Sequence, residues 1–175
     1  SGDGILAFGL NISNLGSKVS YDKNVTNNFI PTNLRLGGSF QYPIDNFQSI
    51  SFSADVNKLL VPTPNATTDF NKVSMLSGVF MSFADAPLEE ELREIMWSAG
   101  VEYAYNKQFF VRAGYFNENE FKGNRKYFTA GAGFKLNVFQ LDAGYVISTS
   151  QSNPLDQTLR FSLSFDIFGL RNLVK

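Results

Sequence analysis

Apolar residues occupy every second position along eight stretches of the chain. In the first stretch they are Leu6, Phe8, Leu10 and Ile12, and small or polar residues stand between them. The other stretches lie within residues 33–41, 50–57, 97–104, 111–115, 128–136, 139–147 and 159–167. A period of two is typical of β-strands whose two faces meet different surroundings. The pattern therefore predicts an all-β chain of about eight strands.

The connections between these stretches alternate in length. The short ones cover residues 43–48, 106–108 and 137–138, and the long ones cover residues 14–32, 61–95, 117–125 and 149–157. Short turns on one side and long loops on the other are typical of antiparallel outer-membrane β-barrels. The run Gly4–Ser17 is the longest one free of charge, and it is too short and too polar for a spanning helix, which needs about 20 mostly apolar residues.

Aromatic residues gather at the predicted strand ends, as in the interfacial girdles of membrane barrels. They are Tyr42, Tyr103, Tyr105, Phe109, Tyr115, Tyr127, Phe139 and Phe168. In a soluble sandwich the apolar face would pack inward against a second sheet. We favour the transmembrane barrel, with the apolar face toward lipid and the polar face toward the lumen. Because Ser1–Gly4 has neither a basic nor an apolar region, no signal peptide is expected, and the chain is expected to be a processed form or a fragment.

Composition narrows the possible chemistry. The chain has 15 Lys and Arg against 16 Asp and Glu, so it lacks the basic excess of a nucleic-acid-binding surface. It has no Cys and no His, which excludes disulfides, imidazole or thiolate metal ligands, and Ser-His or Cys-His nucleophiles. The carboxylate pair Glu118 and Glu120 lies in a polar loop without the burial that acid–base catalysis would need. We therefore expect no enzyme activity, no metal and no cofactor.

Eight charged residues fall on the predicted polar face, and four are positive and four negative. They are Arg35, Asp55, Glu102, Arg112, Lys135, Asp142, Arg160 and Asp166. A lumen wall of solvated or mutually paired charges is favoured over an ion-selective lining, which would carry one sign. A three-residue turn at 106–108 places Glu102 opposite Arg112. A two-residue turn at 137–138 places Lys135 opposite Gln140 and diagonal to Asp142.

Five glycines also share the polar face of neighbouring strands. They are Gly100, Gly114, Gly131, Gly133 and Gly144. Glycine within strands marks strong curvature or the close approach of another backbone. Curvature of the barrel is the favoured interpretation, and packing of a plug segment against these glycines is the alternative.

The longest connection, residues 61–95, is too long to serve only as a link. Its apolar part, Val73–Phe83, is followed by a predicted short helix capped by Asp85, with Leu88, Leu92 and Ile95 on one face and the acidic run 89–91 in solvent. The loop either folds over the barrel mouth or docks a partner, and both remain open. The candidate partner-docking residues are Met75, Phe80, Met81, Phe83, Leu88 and Leu92.

Four stretches resemble the PorV family, outer-membrane components of the Bacteroidetes type IX secretion system. They are residues 29–37 (FIPTNLRLG), 57–64 (NKLLVPTP), 125–134 (RKYFTAGAGF) and 153–162 (NPLDQTLRFS). The resemblance implies a 14-stranded barrel similar to the FadL fatty-acid channel. Since this chain supplies about eight strands, we expect residues 1–175 to form the C-terminal part of such an outer-membrane barrel, with 61–95 as its long external loop.

The same resemblance implies a function without catalysis. PorV-like proteins bind the outer-membrane translocon (Sov or SprA), accept secreted cargo with a C-terminal signal domain, and pass it to the PorU attachment machinery. The expected location is therefore the outer membrane, as an integral protein in contact with the lipid bilayer. Two alternatives remain: a FadL-like transporter of hydrophobic small molecules, which the polar lumen disfavours, and a complete eight-stranded structural barrel.

Overall fold

The computed structural model describes residues 3–20, 28–62, 72–83, 87–149, 156–167 and 169. Eight strands are present: β1 (Ile5–Ser13), β2 (Asn33–Pro43), β3 (Gln48–Leu59), β4 (Ile95–Tyr105), β5 (Phe109–Asn117), β6 (Lys126–Leu136), β7 (Phe139–Ser148) and β8 (Leu159–Phe165). Two short helices, α1 (Met75–Met81) and α2 (Leu88–Arg93), lie between β3 and β4. None of the helices in the described ranges is both long and apolar enough to cross a membrane.

The strands form one antiparallel sheet in the order β1 to β8. Each strand therefore pairs with its neighbours in sequence, which confirms the predicted all-β, antiparallel architecture. Within the described residues, β1 pairs only with β2 and β8 only with β7, so the sheet is open. An open meander of this kind is consistent with part of a barrel wall. The three short connections share one end of the sheet, the turn end, and the four long connections share the other, the loop end.

Local backbone chemistry explains the tight turns. Asn106, Lys107 and Asn137 adopt positive φ angles of 53°, 54° and 47°, and asparagine tolerates this conformation better than most residues. In the β2–β3 turn, the Asp45 carboxylate accepts hydrogen bonds from the backbone N–H groups of residues 47 and 48 at 2.8 and 2.7 Å. Turns this short fix the strand register.

The observed registers agree with those expected from the turn lengths. Glu102 lies opposite Arg112, and Lys135 lies opposite Gln140. Both registers were predicted, and both are confirmed. Since side chains alternate between the faces of a strand, these pairs also fix which residues of β4 to β7 share the polar face.

The two faces of the sheet differ in character. Large apolar side chains such as Phe8, Phe52 and Phe161 stand exposed on the apolar face. The polar face carries small, polar and charged residues. Among the described residues, the buried apolar side chains are Leu60, Pro62 and Ala104, so these strands have no conventional core. A wall whose apolar side is open over its whole width is what a barrel presents to lipid.

Aromatic side chains form contacts near both ends of the apolar face. Trp97, Tyr115 and Phe128 follow one another across β4, β5 and β6, with ring centroids 5.5 and 4.7 Å apart. Toward the turn end, Phe109 and Phe134 lie 4.9 Å apart. Of the aromatic residues assigned to the girdles, Phe168 lies outside the described residues. Tyr127 lies on the polar face instead, because it precedes Phe128 and must point the opposite way.

Candidate docking surface

The charges of the polar face are partly organised around one guanidinium. Arg112 on β5 pairs with Glu102 on β4 at 2.5 Å and also with Asp142 on β7. Asp142 accepts a further hydrogen bond from Gln140 Nε2 at 2.8 Å. Asp142 thus pairs with Arg112, not with its diagonal neighbour Lys135. The expectation of mutual pairing is met for these three charges, although with a different partner for Asp142.

Glycine makes this arrangement possible. Gly133 of β6 lies between β5 and β7, opposite Asp142. A Cβ atom at this position would collide with the Asp142 carboxylate and crowd the Arg112 guanidinium. Because Gly133 has no side chain, the Asp142 carboxylate and the Arg112 guanidinium have space to pair.

The other five polar-face charges are dispersed. Arg35 and Asp55 line a cleft of about 300 Å³ together with Asn57 and Ser98, and the Ser98 hydroxyl donates to Asp55 at 3.4 Å. Lys135 and Arg160 are exposed, and Asp166 accepts a hydrogen bond from the backbone N–H of Gly169 at 3.0 Å. The described polar face thus presents both signs of charge, and nothing in it forms a ring of one sign.

The α1 helix carries several of the candidate docking residues. The Ser74 hydroxyl caps its N-terminus by accepting from the backbone N–H of Ser77 at 3.2 Å. Gly78 is buried against the ring of Phe29 from the β1–β2 connection, and a Cβ atom at this position would force that ring to shift. This contact fixes which side of the helix faces inward.

The opposite side of α1 faces solvent. Phe80 is 73% exposed and Phe83, just beyond the helix, is 50% exposed. Met75 and Met81 are half-buried. Leu76, which was not among the predicted candidates, is also exposed. The apolar segment therefore presents two phenylalanines outward.

The α2 helix departs from expectation at both ends. Asp85, its predicted cap, lies outside the described residues, and the helix follows Pro87 without a side-chain cap. Ile95 is the first residue of β4 and not part of the helix. Leu92 is 59% exposed, whereas of Leu88 only the backbone is described.

The acidic run of α2 was predicted to be solvated, and this prediction is wrong for Glu91. Glu91 is buried, and its carboxylate lies 2.7 Å from Lys58 Nζ. Lys58 also bonds Glu94 at 2.6 Å. Glu89 alone of the run remains largely exposed, and it pairs with Arg93 one helical turn away at 2.7 Å. The acidic residues thus attach α2 to the end of β3.

A second lysine extends this attachment to the β5–β6 loop. Lys122 Nζ lies 3.0 Å from Glu94 and 3.3 Å from Glu90. Burial acts to raise the pKa of Glu94, but hydrogen bonds from Lys58 and Lys122 outweigh it and hold that pKa below its ordinary value. One chain of opposite charges, here called the charge chain, therefore joins β3, α2 and the loop through residues 91, 58, 94, 122 and 90.

The β5–β6 loop is held together by its own ion pair. The Arg125 guanidinium donates to both carboxylate oxygens of the buried Glu118, at 2.7 and 2.8 Å. These bonds lower the pKa of Glu118. Gly123 adopts φ +141° directly beside the Glu118 carboxylate, where both the space and the backbone conformation favour glycine.

This loop displays an aromatic residue that sequence reasoning missed. Phe121 is 70% exposed, and its backbone N–H is fixed by the Asn119 side chain at 3.0 Å. The Arg93 guanidinium of α2 lies 5.1 Å from the centre of its ring. In sequence Phe121 stands among charged residues, so hydropathy gives no hint of its position.

The fold defines a class: one open antiparallel β-sheet, consistent with part of a barrel wall, with two short helices and a folded β5–β6 loop at one end. The family model of the type IX secretion system protein PorV matches residues 1–66. That range contains β1, β2 and β3 and two of the four stretches on which the resemblance rests. No curated protein matches the chain. This part of the chain is therefore similar to a component of the type IX secretion system.

Proposed function

We propose that this chain is the membrane-embedded wall and external docking region of a PorV-like outer-membrane protein of the type IX secretion system. Its partners would be the Sov- or SprA-like translocon, cargo with C-terminal signal domains, and the PorU-like attachment complex. The match over residues 1–66 is the observation that carries this proposal. The largely exposed apolar face supports a location in the outer membrane, because that face needs lipid to cover it.

The role we assign is binding and transfer, without catalysis. The chain contains no His and no Cys. The polar-face carboxylates Glu102 and Asp142 are both engaged by Arg112. These paired carboxylates have a structural role in the sheet. A catalytic acid would instead need to remain available to a substrate.

We place the docking element at α1 and the residues after it. Phe80 and Phe83 face solvent, whereas a lid packed over the barrel's own mouth would cover such side chains. Exposed aromatic residues are frequent anchors of protein interfaces. Their exposure favours the docking interpretation over the lid.

A FadL-like transporter is the second candidate. Its support is an apolar patch on the polar face near the loop end, where Phe116 and Tyr127 stack 4.9 Å apart beside Met96. The same cleft is also lined by Arg35 and Asp55. A hydrophobic ligand would have to lie against these charges, which disfavours transport of an acyl chain.

The docking proposal is tested by replacing Phe80 and Phe83 with alanine together. Translocon recovered with the protein from detergent extracts is expected to fall, because two anchor side chains are removed. The matched control is Phe47→Ala, an equally exposed phenylalanine at the turn end. Heat-modifiable gel migration checks that both variants fold. Unchanged translocon recovery with a folded barrel would refute the docking role and favour the lid.

A further inference from the structure

Two exposed apolar side chains lie on separate elements at the loop end. Leu92 lies on α2, and Phe121 lies on the β5–β6 loop. Arg93, the residue after Leu92, places its guanidinium 5.1 Å from the centre of the Phe121 ring, so α2 and the loop are in contact there. We call Leu92, Arg93 and Phe121 the platform.

The platform is held in place before any partner arrives. Lys58 attaches α2 to β3 through Glu91 and Glu94, and Lys122, the residue after Phe121, attaches the loop to α2. The Glu118–Arg125 ion pair closes the loop itself. Such preorganisation lowers the entropy lost on binding.

The charges around the platform are unequal. Within α2, Glu94, Lys58 and residues 118–125, six carboxylates accompany four cations. All four cations, Lys58, Arg93, Lys122 and Arg125, are engaged in ion pairs. Glu120 is exposed beside Phe121, and no ion pair to it is present among the described residues. The rim of the platform is therefore acidic, which opposes the phosphates of a lipid headgroup and attracts a cationic partner.

We propose that the platform binds a basic segment of a partner protein, in which an aliphatic or aromatic anchor is flanked by Lys or Arg. The anchor packs on Leu92 and Phe121, and the basic residues face Glu89 and Glu120. The inference rests on the proposed docking role of the loop end and adds to it the chemistry of the partner. It also adds Phe121 as an anchor residue.

The test uses the protein in nanodiscs and two fluorescent peptides. One peptide alternates Leu and Lys, and the other alternates Leu and Glu. Fluorescence anisotropy should show the Lys peptide binding at least about tenfold more tightly than the Glu peptide, with affinity falling as salt rises. Phe121→Ala should weaken the Lys peptide by about tenfold or more, and Phe47→Ala at the turn end should not. Replacing Glu89 and Glu120 with Gln should reduce the salt dependence.

Any of three results would overturn the proposal. The two peptides bind equally, the Lys peptide binds empty nanodiscs equally well, or Phe121→Ala keeps full affinity. Hydrogen exchange across residues 118–125 shows whether Phe121→Ala leaves the loop folded, and Phe121→Leu should retain most of the affinity. The two proposals fail in different ways. If Phe121→Ala recovers the translocon normally and the protein binds both peptides equally, only the platform proposal is rejected. Unchanged translocon recovery in the Phe80 and Phe83 variant would reject the docking role of α1 alone.

Discussion

Arg112 and Asp142 form an ion pair across a strand to which neither belongs. Arg112 is on β5, Asp142 is on β7, and β6 passes between them with Gly133 at the crossing point. The pair adds a side-chain link over β6 to the backbone ladders on either side. Gly133 is itself buried beneath it.

The first prediction concerns that crossing point. Gly133→Ala should lower the free energy of unfolding by about 1 kcal/mol, since its methyl group displaces a partly exposed ion pair. The control is Gly144→Ala on the neighbouring strand, where the nearest heavy atom is 4.0 Å from the new Cβ and no loss is expected. Urea titration followed by heat-modifiable migration measures both. Equal stability of the two variants would show that the ion pair contributes nothing.

A second prediction separates the two faces of the sheet. Leu141 and Leu163 are directly paired and exposed on the apolar face. Replacing either with Arg should cost about 2–4 kcal/mol near the middle of a bilayer. Gln140→Lys and Ser162→Lys should be tolerated, because both positions lie beside Asp142 on the polar face. Folding yield in lipid vesicles is the measurement, and similar losses on both faces would argue for a soluble sandwich.

The third prediction concerns the attachment of α2. Lys58→Met leaves Glu91 buried without its lysine, and removal of one partner from such a pair typically costs about 3–5 kcal/mol. The loss should be local, so hydrogen exchange of α2 amides should accelerate strongly while that of β5 and β6 stays slow. Glu89→Gln breaks an exposed ion pair on the same helix. It should change the free energy of local opening, measured by hydrogen exchange, by well under 1 kcal/mol. Slow exchange in Lys58→Met would mean that α2 is held by other contacts.

The fourth prediction follows from the lowered pKa of Glu118. A carboxyl whose folded pKa lies below its unfolded value stabilises the fold fully above that unfolded value, near 4.5. The contribution is lost as pH falls below 4.5 through the folded pKa. Exchange protection of the loop amides, corrected for the intrinsic effect of pH, should therefore be constant from pH 7 to pH 5 and decrease toward pH 3.5. In Glu118→Gln the protection should be lower at pH 7 and nearly independent of pH.

The strands and their registers could be predicted from the sequence because both depend on local information. Alternation with a period of two identifies the strand, and a two- or three-residue turn leaves one register between neighbours, as for Glu102 and Arg112. The position of Tyr127 on the polar face could have been predicted in the same way. It adjoins Phe128, which the pattern already assigned to the apolar face.

The remaining features depend on contacts between distant parts of the chain. Lys58 and Glu91 are 33 residues apart, and no periodicity connects them. Asp142 pairs with Arg112 and not with Lys135, because the long Arg112 side chain can reach across Gly133. Strand register alone does not reveal this contact. Phe121 is surrounded by polar residues in sequence, and its importance follows only from its exposure and from Arg93.

The charge chain has a mechanical consequence. Glu94 alone separates α2 from Ile95, the first residue of β4, so a pull on α2 reaches β4 through the backbone. Lys58 adds a second attachment, because its ion pairs tie Glu91 and Glu94 to β3, one residue before that strand ends. Tension applied by a bound partner at Leu92 is therefore shared between β3 and β4, which are themselves hydrogen-bonded neighbours in the sheet.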